Sequence, residues 1–128
     1  MKNLNMGFFG LYLLMSGREA YQQAVRIVEA VKSRADLLKK LEGWERVFQF
    51  KPSDADPFYI EVSAGSMKIV EGLHPTPTST IEASQQDLVS VMKGELDAVK
   101  AFFSGRLKVK GNIFATQELN DLLSSTFK

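Results

Sequence analysis

The chain has no cysteine and a single histidine, His74. Disulfides, thiolate metal sites and thiol nucleophiles are thereby excluded. One histidine between Leu73 and Pro75, with no clustered acids, does not make a transition-metal site, so neither metal nor cofactor is expected. No Ser-His-Asp arrangement can be argued from spacing. Asp54 and Asp56 beside Pro52 and Pro57 read as turn chemistry, so no catalytic residue is expected. An excess of one charge is also missing. Sixteen basic residues face fifteen acidic ones, a net charge of +1, which provides no general field for nucleic acid or anionic membrane. Gly105 and Gly111 bracket a strand-like stretch instead of forming a phosphate-cradling loop ahead of a helix. A cysteine-free chain suits a reducing compartment, and the cytoplasm is the expected location.

Long hydrophobic runs are lacking too. The most apolar segment, Met6 to Met15, has ten residues, about half of what a membrane-spanning helix needs. Its length suits a signal-peptide core, but the flanks do not. Only Lys2 precedes it, no clean small-x-small site follows, and Arg18 and Glu19 come at once. Residues 1–18 are therefore expected to be an apolar extension of a domain spanning 19–128. The extension could serve as a lid, a dimer contact or a membrane-docking element. Packing on the domain or on a second copy is the preferred role, because Phe8, Phe9, Leu11, Tyr12 and Leu14 exposed together would invite aggregation.

What is present is the composition of an ordinary globular domain: 128 residues, 45% apolar, mean hydropathy −0.10. A chain of this length can bury roughly two-thirds of its unfolded surface without a staple. From Glu19 to Leu41 the spacing predicts one helix, with Tyr21, Ala24, Val25, Val28, Val31, Ala35 and Leu38 on its apolar face and Gly43 ending it. Trp44 to Phe50 reads as a strand broken by Lys51-Pro52-Ser53-Asp54. Phe58, Ile60 and Val62 alternate with polar neighbours, Ala64-Gly65 makes a tight turn, and Ser66 to Val70 returns. Thr78 to Ala83 is a further strand.

Ser84 starts a helix, with Asp87 approximating a capping box, and Gly94 ends it. Asp97 to Phe103 is a short helix. Arg106 to Lys110 alternates as a strand, and a final helix, capped by Asn112 or Thr116, carries Leu119, Leu122, Leu123, Thr126 and Phe127. Strands in a block with helices at the ends predict an α+β domain whose mainly antiparallel sheet is covered on one side.

Several of these segments carry a resemblance. The run Val91-Met92-Lys93-Gly94, then Leu96-Asp97, then Ala101 through Asn112 with its Gly-Arg-Leu-Lys-Val-Lys-Gly strand, then Leu119 with Leu122-Leu123, resembles the sterol carrier protein type 2 family. The likeness covers about residues 20–128, and its specific part is the last forty. Three features depart from the family pattern. Gly111-Asn112 replaces a Gly-Asp pair, Arg106 replaces a lysine, and Thr76-Pro77-Thr78 stands where an aspartate precedes the fourth strand. The segment Leu4 to Met15 goes beyond the pattern.

The resemblance implies a five-stranded sheet with helices over one face and an apolar tunnel between them for sterols, fatty acids, acyl-CoA or other lipids. It implies no chemistry. Met92, Phe102, Phe103, Leu107, Val109, Leu119, Leu122, Leu123 and Phe127 are the expected wall, although a plain core would use the same residue types. Arg106, Lys108 and Lys110 form a basic stripe that could meet an anionic head group or a membrane, or simply be a solvated strand face. The expected partner is a lipid or other apolar small molecule, with transient membrane contact and a homodimer through the N-terminal segment as further expectations. The alternative is the same fold with a filled core, acting as a dimerisation or accessory module for a lipid-related enzyme. An enzyme acting on acyl-CoA lacks a visible nucleophile or base.

Overall fold

The structure, a computed structural model, describes residues 18–126. Two helices open it, α1 (Glu19–Lys32) and α2 (Ala35–Lys40). The single helix expected through Leu41 is therefore broken. Arg34 adopts an extended backbone, φ −120° and ψ 116°, and Ser33 bonds back to the Ala30 carbonyl. The Arg34 guanidinium pairs with Asp36 and reaches the carbonyls of Ser125 and Thr126 at the far end of the chain. The break turns the apolar face. Leu37 is buried after it, whereas Ala35 is exposed. On α1 the buried set is Ala20, Gln23, Ala24, Ile27, Val28 and Val31, so the face sits slightly to one side of the predicted stripe, and Tyr21 and Val25 are half-buried.

The sheet begins with β1 (Arg46–Pro52), β2 (Phe58–Ser63), β3 (Ser66–Glu71) and β4 (Ser79–Ala83). β1 starts two residues later than expected and runs through Pro52. Pro52 itself has no N–H to donate, and the pairing with β4 continues through the Ser53 N–H, which reaches the Ala83 carbonyl. Ala64 and Gly65 both have positive φ, 52° and 75°, the two-residue hairpin turn that matches the strand twist. With β5 (Lys108–Gly111) the strand order is β3-β2-β1-β4-β5. β1 and β4 are parallel and every other pair is antiparallel. The parallel pair requires a crossover, and the segment 72–78 supplies it over the outer face. There His74 N–H donates to the Gln49 side chain and the His74 ring meets the edge of Tyr59. His74 is thereby half-buried.

The other face carries the core. Phe48, Phe50, Phe58, Ile60, Val62, Met67 and Ile81 are buried beneath α1, α3 (Gln85–Met92) and α5 (Ile113–Thr126). Ser84 caps α3 by accepting from Asp87 N–H, and Asp54 accepts from Gln85 N–H. α4 (Ala98–Phe103) is capped by Asp97. Arg106 and Leu107 turn back onto the Ala101 carbonyl, so β5 is shorter than the predicted Arg106–Lys110 strand. Asn112, not Thr116, caps α5 by accepting from Ala115 N–H. At the end of β5 stands Gly111, φ 90°, where a Cβ would lie 2.6 Å from the Thr78 carbonyl oxygen. Only glycine fits there without strain. Among the described residues no helix is long and apolar enough to cross a membrane.

Candidate functional site: an apolar groove at the β5 edge

α4 has six residues and β5 four, so this edge of the sheet is only thinly covered. An apolar groove of about 250 Å³ opens there. Ala98, Val99, Phe102 and Phe103 of α4 form one wall. Leu107 and Val109 form the floor, and Ile113, Thr116, Gln117 and Asn120 of α5 form the other wall. A second hollow of about 30 Å³ lies deeper, bounded by Phe50 and Ile81 of the sheet, Leu88, Val91 and Met92 of α3, and Leu119 and Leu123 of α5. The two share Ala98, Leu107, Thr116 and Asn120. No charged side chain lines either one. Such a surface favours hydrocarbon by removing it from water, at about 25 cal/mol per Å². Its polar groups are neutral, Thr116, Gln117 and Asn120, and the Thr116 hydroxyl is already donated to the Asn112 carbonyl.

Local packing explains the shape. Ala101 is the buried residue of α4, which leaves Phe102 and Phe103 facing outward, edge to face at 5.6 Å. α5 buries Ala115, Leu119, Leu122 and Leu123, so Thr116 and Asn120, one turn apart, fall at the margin of that face. Leu107 is buried at the crossing of α4 and β5.

Two of the three residues of the basic stripe are paired with acids. Arg106 donates to both carboxylate oxygens of Asp87, at 2.6 and 3.3 Å. That guanidinium holds the Asp87 carboxyl below its ordinary range, and Arg106 is raised in turn. Lys110 pairs with Glu82 at 2.9 Å. The Lys110 ammonium, helped by Lys51 and Lys108, holds the Glu82 carboxyl below its ordinary range.

The predicted wall residues that lie among the described ones divide into four groups. Met92, Leu119 and Leu123 bound the deeper hollow, Leu107 bounds both hollows, and Phe102, Phe103 and Val109 line the outer groove. Leu122 is buried in the core and lines neither. Phe127 lies outside the described residues, as does the apolar run Met6 to Met15. Residues not anticipated are Val99, Ile113, Thr116, Gln117 and Asn120 in the groove, and Phe50, Ile81, Leu88 and Val91 below it. Among the described residues no group of three His, Cys, Asp or Glu could hold a metal ion. Elsewhere, a hollow of about 40 Å³ lies beside Arg18, Tyr21 and Pro57, smaller than the groove and edged by the Arg18–Glu71 ion pair.

Comparison with known proteins points to one family. The sequence profile of the SCP-2 sterol transfer family matches residues 25–124. Peroxisomal multifunctional enzyme A of Dictyostelium discoideum is 33% identical over 93 residues, which is 72% of this chain and 21% of that protein. Curated relatives matched by the chain are thus several times longer than it is. Sterol carrier protein domain 2 of Helicoverpa armigera, a solution structure, superposes with a TM-score of 0.66 at 26% identity, covering 84% of this chain and 86% of that one. Sterol carrier protein 2 of Aedes aegypti, solved with palmitate, superposes with a TM-score of 0.54 at 17% identity and covers 77% and 96%. At that identity the likeness shows the fold.

Proposed function

The chain belongs to the SCP-2 sterol transfer family, and from that premise we propose that it binds and carries an apolar ligand in the β5-edge groove, without catalysis. The observation that supports this reading is the groove itself, apolar, uncharged and sharing four lining residues with the hollow beneath α3 and α5.

The groove volume of about 250 Å³ lies just under the range of roughly 300–1,000 Å³ common for small-molecule sites. That suits a slender acyl chain better than fused sterol rings. Each methylene taken from water contributes about 0.8 kcal/mol, so most of the affinity comes from chain length. The palmitate carried by the Aedes aegypti protein supports a fatty acyl ligand. A reducing location such as the cytoplasm fits the absence of cysteine.

The test is extraction of the purified protein followed by mass spectrometry, with displacement of a fluorescent fatty acid as the affinity measure. Stoichiometric lipid and saturable displacement are expected. Thr116→Trp, which places a ring at the junction of the two hollows, is expected to weaken binding at least about tenfold. A lipid-free protein that displaces nothing would refute the proposal.

A further inference from the structure

Exposed apolar side chains gather around the mouth of the groove; among the described residues the other large one is Leu73, on the 72–78 crossover. Phe103 is 81% exposed, Phe114 79%, Ile113 52% and Val99 45%. Single exposed hydrophobics are ordinary, but several around one opening mark a surface that meets something. The charges beside them narrow the choice. From residue 98 to residue 117 the sequence holds Lys100, Arg106, Lys108 and Lys110 and not one aspartate or glutamate. The nearest acids on either side are engaged, because Asp97 caps α4 and Glu118 pairs with Arg46. Arg106 and Lys110 have acidic partners. Lys100 and Lys108 enter none of the close ion pairs between described residues, and although Lys108 faces Glu82 across β4 and β5, that one carboxylate is shared with Lys51 and Lys110, which leaves positive charge in excess.

Protein interfaces are depleted in lysine at their centres. Aromatic side chains set beside lysines in excess of the nearby acids are the composition of faces that settle into an anionic lipid interface. We propose that the rim formed by α4, β5 and the first turn of α5 is a docking face for an anionic lipid bilayer, with Phe103 and Phe114 entering the head-group boundary and Lys100 and Lys108 meeting lipid phosphates. The proposal rests on the reading of the groove as an apolar-ligand site, since it gives that ligand a path from bilayer to protein that avoids open water.

The experiment is sedimentation of the full chain with phosphatidylcholine vesicles, with and without phosphatidylserine, alongside fluorescent fatty-acid binding in vesicle-free solution. Stronger sedimentation on the anionic vesicles is expected, and salt should weaken it. Phe114→Ser is expected to weaken vesicle binding about tenfold. Lys100→Glu with Lys108→Glu should weaken it about tenfold or more. Phe114 does not line the groove, so Phe114→Ser should change fatty-acid affinity in solution less than about twofold. Vesicle binding that both variants leave unchanged would overturn the proposal. So would a solution dimer that Phe114→Ser dissolves, which would assign the rim to a second copy. A wild-type chain that binds fatty acid in solution but ignores vesicles would overturn the docking face alone. Sedimentation without fatty-acid binding would support docking and overturn the ligand reading instead.

Discussion

On the β3-β2-β1 side of the sheet, Phe48, Phe58, Val62 and Met67 are almost wholly buried. Phe58 stacks on Phe50 at 5.1 Å and takes the edge of Tyr21 at 5.5 Å. At the β4-β5 edge, Phe102, Phe103, Ile113 and Phe114 stay exposed. Both regions are built from the same residue types. They differ in cover, because the fourteen-residue α1 lies over the first and the six-residue α4 borders the second. A packed interior has almost no free volume, so ligand space arises where a covering element is too short to fill it. One side of this sheet serves stability and the other, in our reading, serves binding.

The largest effect expected to sharpen this contrast is Phe58→Ala, which should cost about 3–5 kcal/mol in chemical denaturation. A loss below about 1 kcal/mol would mean that the inner side is not close-packed. Gly111→Ala comes next, since a Cβ there would meet the Thr78 carbonyl in a left-handed backbone. A loss of about 1–3 kcal/mol is expected, and fatty-acid binding should weaken as α5 shifts against β5.

The Asp87–Arg106 pair ties the turn before β5 to α3. Arg106 holds the Asp87 carboxyl below its ordinary value of 3.8, so the unfolded state takes up this proton first as pH falls. The pair's contribution is complete at neutral pH and is lost as pH drops from the ordinary aspartate range through the lower folded value. Thermal melts from neutral to acid pH should show a shallower acid limb in Asp87→Asn, by a modest amount because Arg106 is half exposed. An unchanged acid limb would dismiss this tie. Phe114→Ala should be the smallest, within about 0.5 kcal/mol of wild type. A larger loss would show that the rim belongs to the core.

Much of this contrast was legible in the residues, and the remainder was hidden for physical reasons. Alternation in Phe58-Ile60-Val62 and the tight turn read at Ala64-Gly65 located the hairpin. The glycine and basic-apolar pattern around Leu107 and Val109 located the edge strand and the family. The break at Ser33–Arg34 was hidden, because the apolar spacing continues across it and one set of Arg34's contacts, the carbonyls of Ser125 and Thr126, lies some ninety residues away. The groove was half legible. Hydrophobic spacing selects residues that leave water, but it does not separate Leu122, packed in the core, from Leu119, beside a hollow. Thr116 and Asn120 were overlooked as polar residues on an apolar helix. Their three- and four-residue spacing from Ile113, Leu119 and Leu123 was the available signal.

The most direct test of the central claim is to titrate a long-chain fatty acid into the isotope-labelled protein and follow its backbone amide resonances. Saturable shifts at Leu107, Val109, Thr116 and Asn120, with Phe48, Val62 and Met67 unmoved, are the predicted result. Shifts centred on β1 to β3, or none at saturating ligand, would contradict it.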